Sequence, residues 1–157
     1  VDDRCPPEQW DVVSEPPALV LFEGWCLGAR PQSGPELKAP VNDLEALEDP
    51  ECIWRSRVNE HLRADFLPLY ERVDCWVMLQ APSFDCVYQW RLEQETKLAS
   101  VASGQAIMSD QEVQRFVQYF QRLTQVCLHD LAEQVDYLYV LDDRREILGC
   151  RGLESGE

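Results

Sequence analysis

Leu19-Val20-Leu21-Phe22-Glu23-Gly24-Trp25-Cys26-Leu27-Gly28-Ala29-Arg30-Pro31-Gln32-Ser33-Gly34 is the stretch whose reading decides the fold. Four apolar residues in a row, bounded by turn residues, predict a strand buried on both faces, as in a parallel sheet. Glu23 follows at its carboxyl end, then Gly24 and a loop that carries Trp25, Gly28, Arg30 and Pro31. In open α/β sheets ligands bind just beyond the carboxyl ends of the strands. Glu23 is therefore a candidate site residue. Spacing alone serves equally well for a solvated strand-end acid beside glycines that only turn the chain.

Downstream, residues 24–42 form a long Pro/Gly-rich loop, and loops of that length are often functional. Asn42 or Asp43 predicts the cap of a short helix through Glu48, interrupted by Pro50. A second helix is expected over Cys52–Arg72, with Trp54, Val58, Leu62, Phe66, Leu69 and Tyr70 as its apolar stripe. Arg55, Arg57 and Arg63 lie off that stripe and read as a solvated face. Cys75–Leu79 predicts the next buried strand, and Ser83 caps a helix from Phe84 to about Val101. Its stripe is Val87, Trp90, Leu98 and Val101. Arg91 and Glu95, four apart on another face, can pair. Residues 100–108, SVASGQAIM, read as a hinge or mobile loop.

Ser109-Asp110-Gln111-Glu112 is a capping box that opens the clearest helix of the chain. Val113, Phe116, Val117, Phe120, Leu123, Cys127 and Leu128 mark one face of it, which is core packing. Tyr137–Leu141 predicts the third strand, and Asp142-Asp143-Arg144-Arg145 a turn. Upstream of the opening stretch, residues 1–18 are loop-like, punctuated by Pro6-Pro7 and Pro16-Pro17. The order strand, helices, strand, helices, strand implies crossovers and a parallel sheet. The expectation is one α/β domain over residues 1–146, with 147–157 as a flexible tail. Three strands make a thin sheet, which fits a domain whose first strand or strands lie elsewhere.

The 157 residues suffice for one domain with a real core. A net charge of −15 argues against a nucleic-acid or anionic-membrane partner. It leaves room for a phosphate ligand, since a few local cations suffice. Of the 14 cations only Lys38 and Lys97 are lysine. Arginine forks fit phosphate and carboxylate, although the composition of a GC-rich genome is the better explanation of the bias. The 7 cysteines are odd in number and lack a CxxC. They read as reduced, buried thiols of a cytoplasmic protein. His61 and His129 have no ligand spacing around them, so zinc is not expected. No signal peptide or spanning run is visible.

Five segments in order carry a resemblance: LVLFEGWCLGARPQ, PVNDLEALEDPECIWRSRVNEHL, MLQAPSFDCVYQWRLEQETKL, MSDQEVQRFVQYFQRLT and VDYLYVLDDRRE. Together they resemble the glycerate 3-kinase-like branch of the P-loop kinases, relatives of uridine kinase, phosphoribulokinase and pantothenate kinase. The resemblance implies a partial P-loop-NTPase-like three-layer domain. It implies ATP-dependent phosphoryl transfer to a hydroxyl of a small acid such as D-glycerate, by positioning and charge stabilisation. On that resemblance Glu23 helps hold Mg²⁺, directly or through water, and Arg91 on a lid helix contacts the phosphates. Arg145 borders the nucleotide and Arg30 holds an anionic acceptor. Asp3 and Arg4 end a segment between the phosphate loop and the EGW strand.

One departure limits what the resemblance carries. A P-loop reads GxxxxGK followed by Ser or Thr. Here Lys38 follows Leu37 and Lys97 follows Thr96, so these residues contain no such motif. Weak or absent nucleotide binding, and no activity, are expected of this chain alone. It reads as a carboxyl-terminal portion of a kinase, completed by a missing amino-terminal segment or a partner chain. The alternative is a non-catalytic kinase-fold protein for partner interaction or small-molecule binding. A third reading keeps only a soluble α/β domain of unknown role.

Overall fold

A computed structural model describes residues 5–101 and 107–152. Asp3 and Arg4, most of the predicted hinge and the last five residues lie outside the described residues. Before the sheet come α1 (Gly34–Lys38), α2 (Asp43–Glu48), α3 (Ile53–His61) and α4 (Leu67–Tyr70). Strand β1 (Val77–Gln80) leads into two long helices, α5 (Phe84–Val101) and α6 (Asp110–Val126). Strands β2 (Tyr137–Leu141) and β3 (Ile147–Arg151) complete the order.

The sheet runs β1-β2-β3. β1 and β2 are parallel, with Val77 opposite Tyr137, and the α5–α6 pair makes the crossover between them. This is the mixed α/β arrangement expected of a partial P-loop-kinase-like domain. β3 returns antiparallel to β2. Residues 147–151 are thus a paired strand, where the sequence suggests a flexible tail. Asp142 makes the hairpin: its backbone N–H donates to the Glu146 carbonyl, and its Oδ1 accepts from the amides of Arg144 and Glu146. Arg145 takes a left-handed φ of 69° there.

The expected first strand is absent. Leu19–Phe22 is extended but unpaired, and Leu21 is 86% exposed. An apolar run gains by burial only if a neighbour covers it and takes its backbone hydrogen bonds. Among the described residues nothing pairs with it, or with the outer edge of β1.

The helix signals hold. Ser109 and Glu112 form the reciprocal capping box of α6. Asn42 Oδ1 accepts from the Glu45 amide at 2.9 Å and caps α2. Ser83 Oγ accepts from the Cys86 amide at the start of α5. The long loop holds an unexpected turn of helix, α1, opened by a second capping box of Ser33 and Glu36. Between α3 and α4 the chain makes a π turn, Leu62–Phe66, so the expected 52–72 helix is one stretch with a changed register. Pro68 has no N–H to give the carbonyl four residues back and would crowd it; a wider turn just before it avoids both.

That stretch corrects the expected burial. Trp54 is 71% exposed and Val58 half-exposed, whereas Arg55, Asn59, Leu62 and Tyr70 are buried. The buried face lies about one residue round the helix from the apolar stripe. Val113 and Val117 of α6 are fully buried, as their stripe predicts. Around Cys127, Ala29 and Leu62 form one small core; Met78, Ala132 and Leu138 form another under the sheet. Gly28 joins them closely: its φ is +91°, and a Cβ there would meet Leu131 and Trp76 at 3.0–3.2 Å.

Candidate functional site

Because β1 and β2 are parallel, their carboxyl ends lie on one side of the sheet. α5 leaves from the end of β1 and the turn with Arg145 from the end of β2. The Trp90 indole N–H of α5 donates to the Asp143 carbonyl at 2.7 Å and ties the two together. Beside this tie lies an open cavity of about 470 Å³, lined by Trp25, Trp90, Arg91, Glu93, Lys97, Phe116 and Arg145 among others. Arg91 and Arg145, picked out separately in the sequence, line the same cavity. The Arg91 guanidinium lies 5.1 Å from the Phe116 ring centre, and that of Arg145 lies 5.7 Å from Trp90. Both contacts are cation–π in kind.

The cations are partly neutralised from within. Arg91 pairs with Glu95, as the i, i+4 spacing predicts, and Glu95 is buried. The other Glu95 oxygen accepts from the Met108 amide at 3.1 Å. Glu93 receives Lys97 and Arg145. These two, Lys97 first, hold its carboxyl below the usual range. Three cations thus face two carboxylates. Arg91 Nε is buried with no hydrogen-bond partner among the described residues. A buried guanidinium N–H of that kind calls for an acceptor.

Trp25 forms the wall between this cavity and the core. Its indole N–H donates to Thr124 Oγ1 at 3.1 Å, and its ring stacks on Phe120 with centroids 4.6 Å apart. Glu23, two residues earlier, is exposed and is not among the cavity residues. Arg30 is exposed and also outside the cavity. The loop that carries Arg30 is nevertheless fixed: Asn59 Oδ1 accepts from the Gln32 amide at 2.7 Å, and Asn59 Nδ2 donates to the Gln32 carbonyl at 3.0 Å.

A second cluster was not legible beforehand. Glu45 is buried between two buried arginines. Arg122 reaches it through Nε at 2.8 Å and through Nη2 at 2.6 Å; Arg55 Nη1 donates to it at 3.1 Å, and the Val41 amide at 2.9 Å. Arg122 also donates to the carbonyls of Glu36 and Ala39. Arg55, expected on a solvated face, instead holds Glu45 and Asp49. Burial pushes the Glu45 carboxyl up, but these donors outweigh it and hold it below the ordinary range. Asp49 behaves alike, held down by the amides of Trp54, Arg55 and Ile53. Every cation here is spent on a protein carboxylate or carbonyl, so the cluster is a clamp for the 31–45 loop.

A parallel β-α-α-β unit, with cations gathered where its strands end, defines this as part of an α/β domain with an anion-fitting cavity. Comparison with known proteins makes it specific. Over 115 residues the chain is 36% identical to the chloroplastic D-glycerate 3-kinase of Arabidopsis thaliana, a match of 73% of this chain and 22% of that protein. Over 122 residues it is 34% identical to the uncharacterized kinase mug58 of Schizosaccharomyces pombe, a match of 75% of this chain and 41% of that protein. Its fold superposes on D-glycerate 3-kinase from Cryptococcus neoformans with a TM-score of 0.71 and 23% identity, over 90% of this chain and 52% of that one. It superposes on the YGR205w protein with a TM-score of 0.54 and 22% identity, over 82% and 45%. At those identities the likeness is one of fold. No protein-family model matches. The homologues of this chain are D-glycerate 3-kinase and related kinases of the P-loop family, and it corresponds to a portion of them. The matches cover less than half the length of those sequence relatives. Among the described residues no helix is long and apolar enough to cross a membrane.

Proposed function

We propose that this chain is the lid and acceptor side of an ATP-dependent small-molecule kinase, which transfers a phosphoryl group to a hydroxyl of D-glycerate or a similar small acid. The observation that carries the reading is the convergence of Arg91, Lys97 and Arg145 in one cavity at the strand ends, with an unpartnered buried N–H on Arg91. Such a cavity fits an anion with several charged oxygens. The triphosphate of ATP, bound there, would supply the phosphoryl group. Arg91 and Lys97 would hold its oxygens and spread their charge, and Arg145, stacked on Trp90, would border the rest of the nucleotide. Such sites work by positioning and charge stabilisation.

Mg²⁺ fits less fully. No cluster of three or more His, Cys, Asp or Glu stands among the described residues. Magnesium at nucleotides needs only one or two carboxylates beside the phosphates; Glu23 would be this chain's share, and it stands outside the Arg91 cavity, two residues before Trp25 of its wall. Arg30, on its clamped loop, is the residue for the acceptor carboxylate. Asp3 and Arg4 belong to the same proposal, which places the protein in the cytoplasm with no nucleic-acid or membrane partner.

The phosphate cradle has to come from another segment or another chain, since these residues contain no GxxxxGK. The test is formation of phosphoglycerate from Mg-ATP and D-glycerate, by the polypeptide as its host makes it and by these 157 residues alone. Transfer by a host product that includes a P-loop, and none by the shorter chain, is the expected result. Transfer by the shorter chain, or none by a P-loop-bearing host product, overturns it. A host product without a P-loop favours the non-catalytic reading.

A further inference from the structure

Cys26 and Cys127 come from opposite ends of the chain and pack into one cluster with Ala29 and Leu62. Cys26 occupies a left-handed turn, φ 60°, between Trp25 and Gly28. Its Sγ lies 3.4 Å from Thr124 Oγ1, and Thr124 stands one helical turn before Cys127 at the end of α6. Both thiols are free. Cys26 is half-buried and Cys127 buried, so a reagent reaches the pair only from the Cys26 side. Among the 7 cysteines, the other half-buried thiols are spent locally: Cys52 donates to the Leu37 carbonyl, and Cys86 is capped by Ser83.

We propose that Cys26 and Cys127 are a modification site, a dithiol that a small-molecule disulfide converts reversibly to an intramolecular disulfide. The Cys26 thiolate attacks one sulfur of oxidised glutathione; a mixed disulfide forms on Cys26 and one glutathione leaves as thiolate. Cys127 then loses its proton and attacks Cys26 Sγ, and the second glutathione leaves. Two protein thiols are oxidised, one glutathione disulfide is reduced to two thiols, and the two protons end on those thiols.

The roles follow from the setting. The Cys127 side chain packed beside it, chiefly, holds Cys26 below the ordinary thiol range; burial opposes this and the Thr124 hydroxyl adds to it. The same contact pushes Cys127 far up. The thiol that is reachable is thus also the one readier to ionise, which is what an attacking cysteine needs. The bond would pin the turn of residues 24–28 to the end of α6. Thr124 Oγ1, which meets Cys26, also accepts the Trp25 indole N–H. Oxidation therefore acts directly on the wall of the Arg91 cavity.

The test begins with the chain in which the exposed thiols are removed (Cys5→Ser, Cys75→Ser, Cys150→Ser). It is equilibrated with oxidised glutathione, capped with N-ethylmaleimide and mapped by peptide mass without reduction. The expected result is a single linked pair, Cys26 to Cys127, that reduced glutathione reverses, with Cys52 and Cys86 recovered as maleimide adducts. Adding Cys127→Ser should stop the reaction at a glutathione adduct on Cys26. Recovery of Cys26 and Cys127 as maleimide adducts in the parent overturns the proposal. So does an adduct on Cys26 that accumulates there without passing to Cys127. The parent map decides the matter even if the Cys127→Ser chain does not fold.

Discussion

Glu45→Gln is the perturbation that most directly tests the reading of the buried clamp. The native carboxylate accepts three hydrogen bonds from two guanidiniums and one from the Val41 amide. Arg55 and Arg122 are 6% and 7% exposed, so water cannot replace what they lose. Glutamine keeps the shape, but it carries no charge and puts an N–H where one arginine donates. Removing one member of a buried ion cluster typically costs about 3–5 kcal/mol, because the partner charge stays buried. For a domain of this size that corresponds to a fall in Tm of roughly 6–20 °C. Differential scanning calorimetry or urea unfolding followed by circular dichroism would read it. The control is Arg115→Ala, which removes a two-pronged pair with Glu48 that is about half exposed on both sides. Water screens that pair, so the control should barely move the midpoint. If Glu45→Gln unfolds within 1–2 °C of the native chain, or no earlier than Arg115→Ala, then burial is not what gives the cluster its strength and the reasoning fails.

Acidification should act through the same cluster. Glu45 and Asp49 are held below their ordinary values of 4.5 and 3.8, so their stabilisation is whole above that range and is lost as pH falls through it. Urea midpoints should therefore be flat from pH 8 to 6 and fall steeply below about pH 4.5. Asn42→Ala removes the α2 cap and two bonds to α6, from Asn42 Nδ2 to Gln118 O and Gln121 Oε1, and should cost about 2 kcal/mol in the same assay. At the cavity, Arg91→Gln should weaken binding of tripolyphosphate, read by quenching of Trp25 and Trp90, while Glu93→Gln should tighten it by freeing Lys97 and Arg145. Equal affinities in all three proteins would remove the anion-site reading. Leu21→Glu should reduce concentration-dependent association in sedimentation, since Leu19–Phe22 is an exposed apolar run; unchanged association would place the sticky surface elsewhere.

Local chemistry was legible at most places where its cause is local, the Ser33–Glu36 capping box of α1 being the exception. Ser109 with Glu112, Asn42 and Ser83 each cap within three residues, so the sequence names both partners. Val113 and Val117 repeat at helical spacing and are the largest fully buried side chains among the described residues. Tyr137–Leu141 and most of Cys75–Leu79 became strands because each finds the other. Leu19–Phe22 shows the same apolar signal and no strand, because a strand is a property of a pair. Arg122 sits on the face of α6 opposite Val113, where periodicity reads solvent. It is buried because α1, α2 and the loop between them, some 80 residues earlier, fold over it. Arg55 was missed for a nearer reason: its partners Glu45 and Asp49 come from α2 and the turn after it, not from its own helix. In the candidate site, Arg91 and Arg145 came from a resemblance, and their meeting in one cavity depends on β1 and β2 running parallel. Lys97 and Glu93 lie one helical turn apart, which signals a salt bridge; only the turn after β2 brings Arg145 to join it.

The parallel pairing of β1 with β2 has a further consequence on the ribosome. Val77 and its partner Tyr137 are separated by 60 residues, among them both long helices. At about 5–20 residues per second, β1 waits roughly 3–12 s after its own synthesis before β2 exists to meet it. During that interval Val77 and Leu79 have no sheet to join, while α5 and α6 can already form from local signals alone. The capping box at Ser109 then does more than end a helix neatly. By fixing where α6 starts, it lets the connection order itself during that wait, so that less remains to be arranged once β2 emerges.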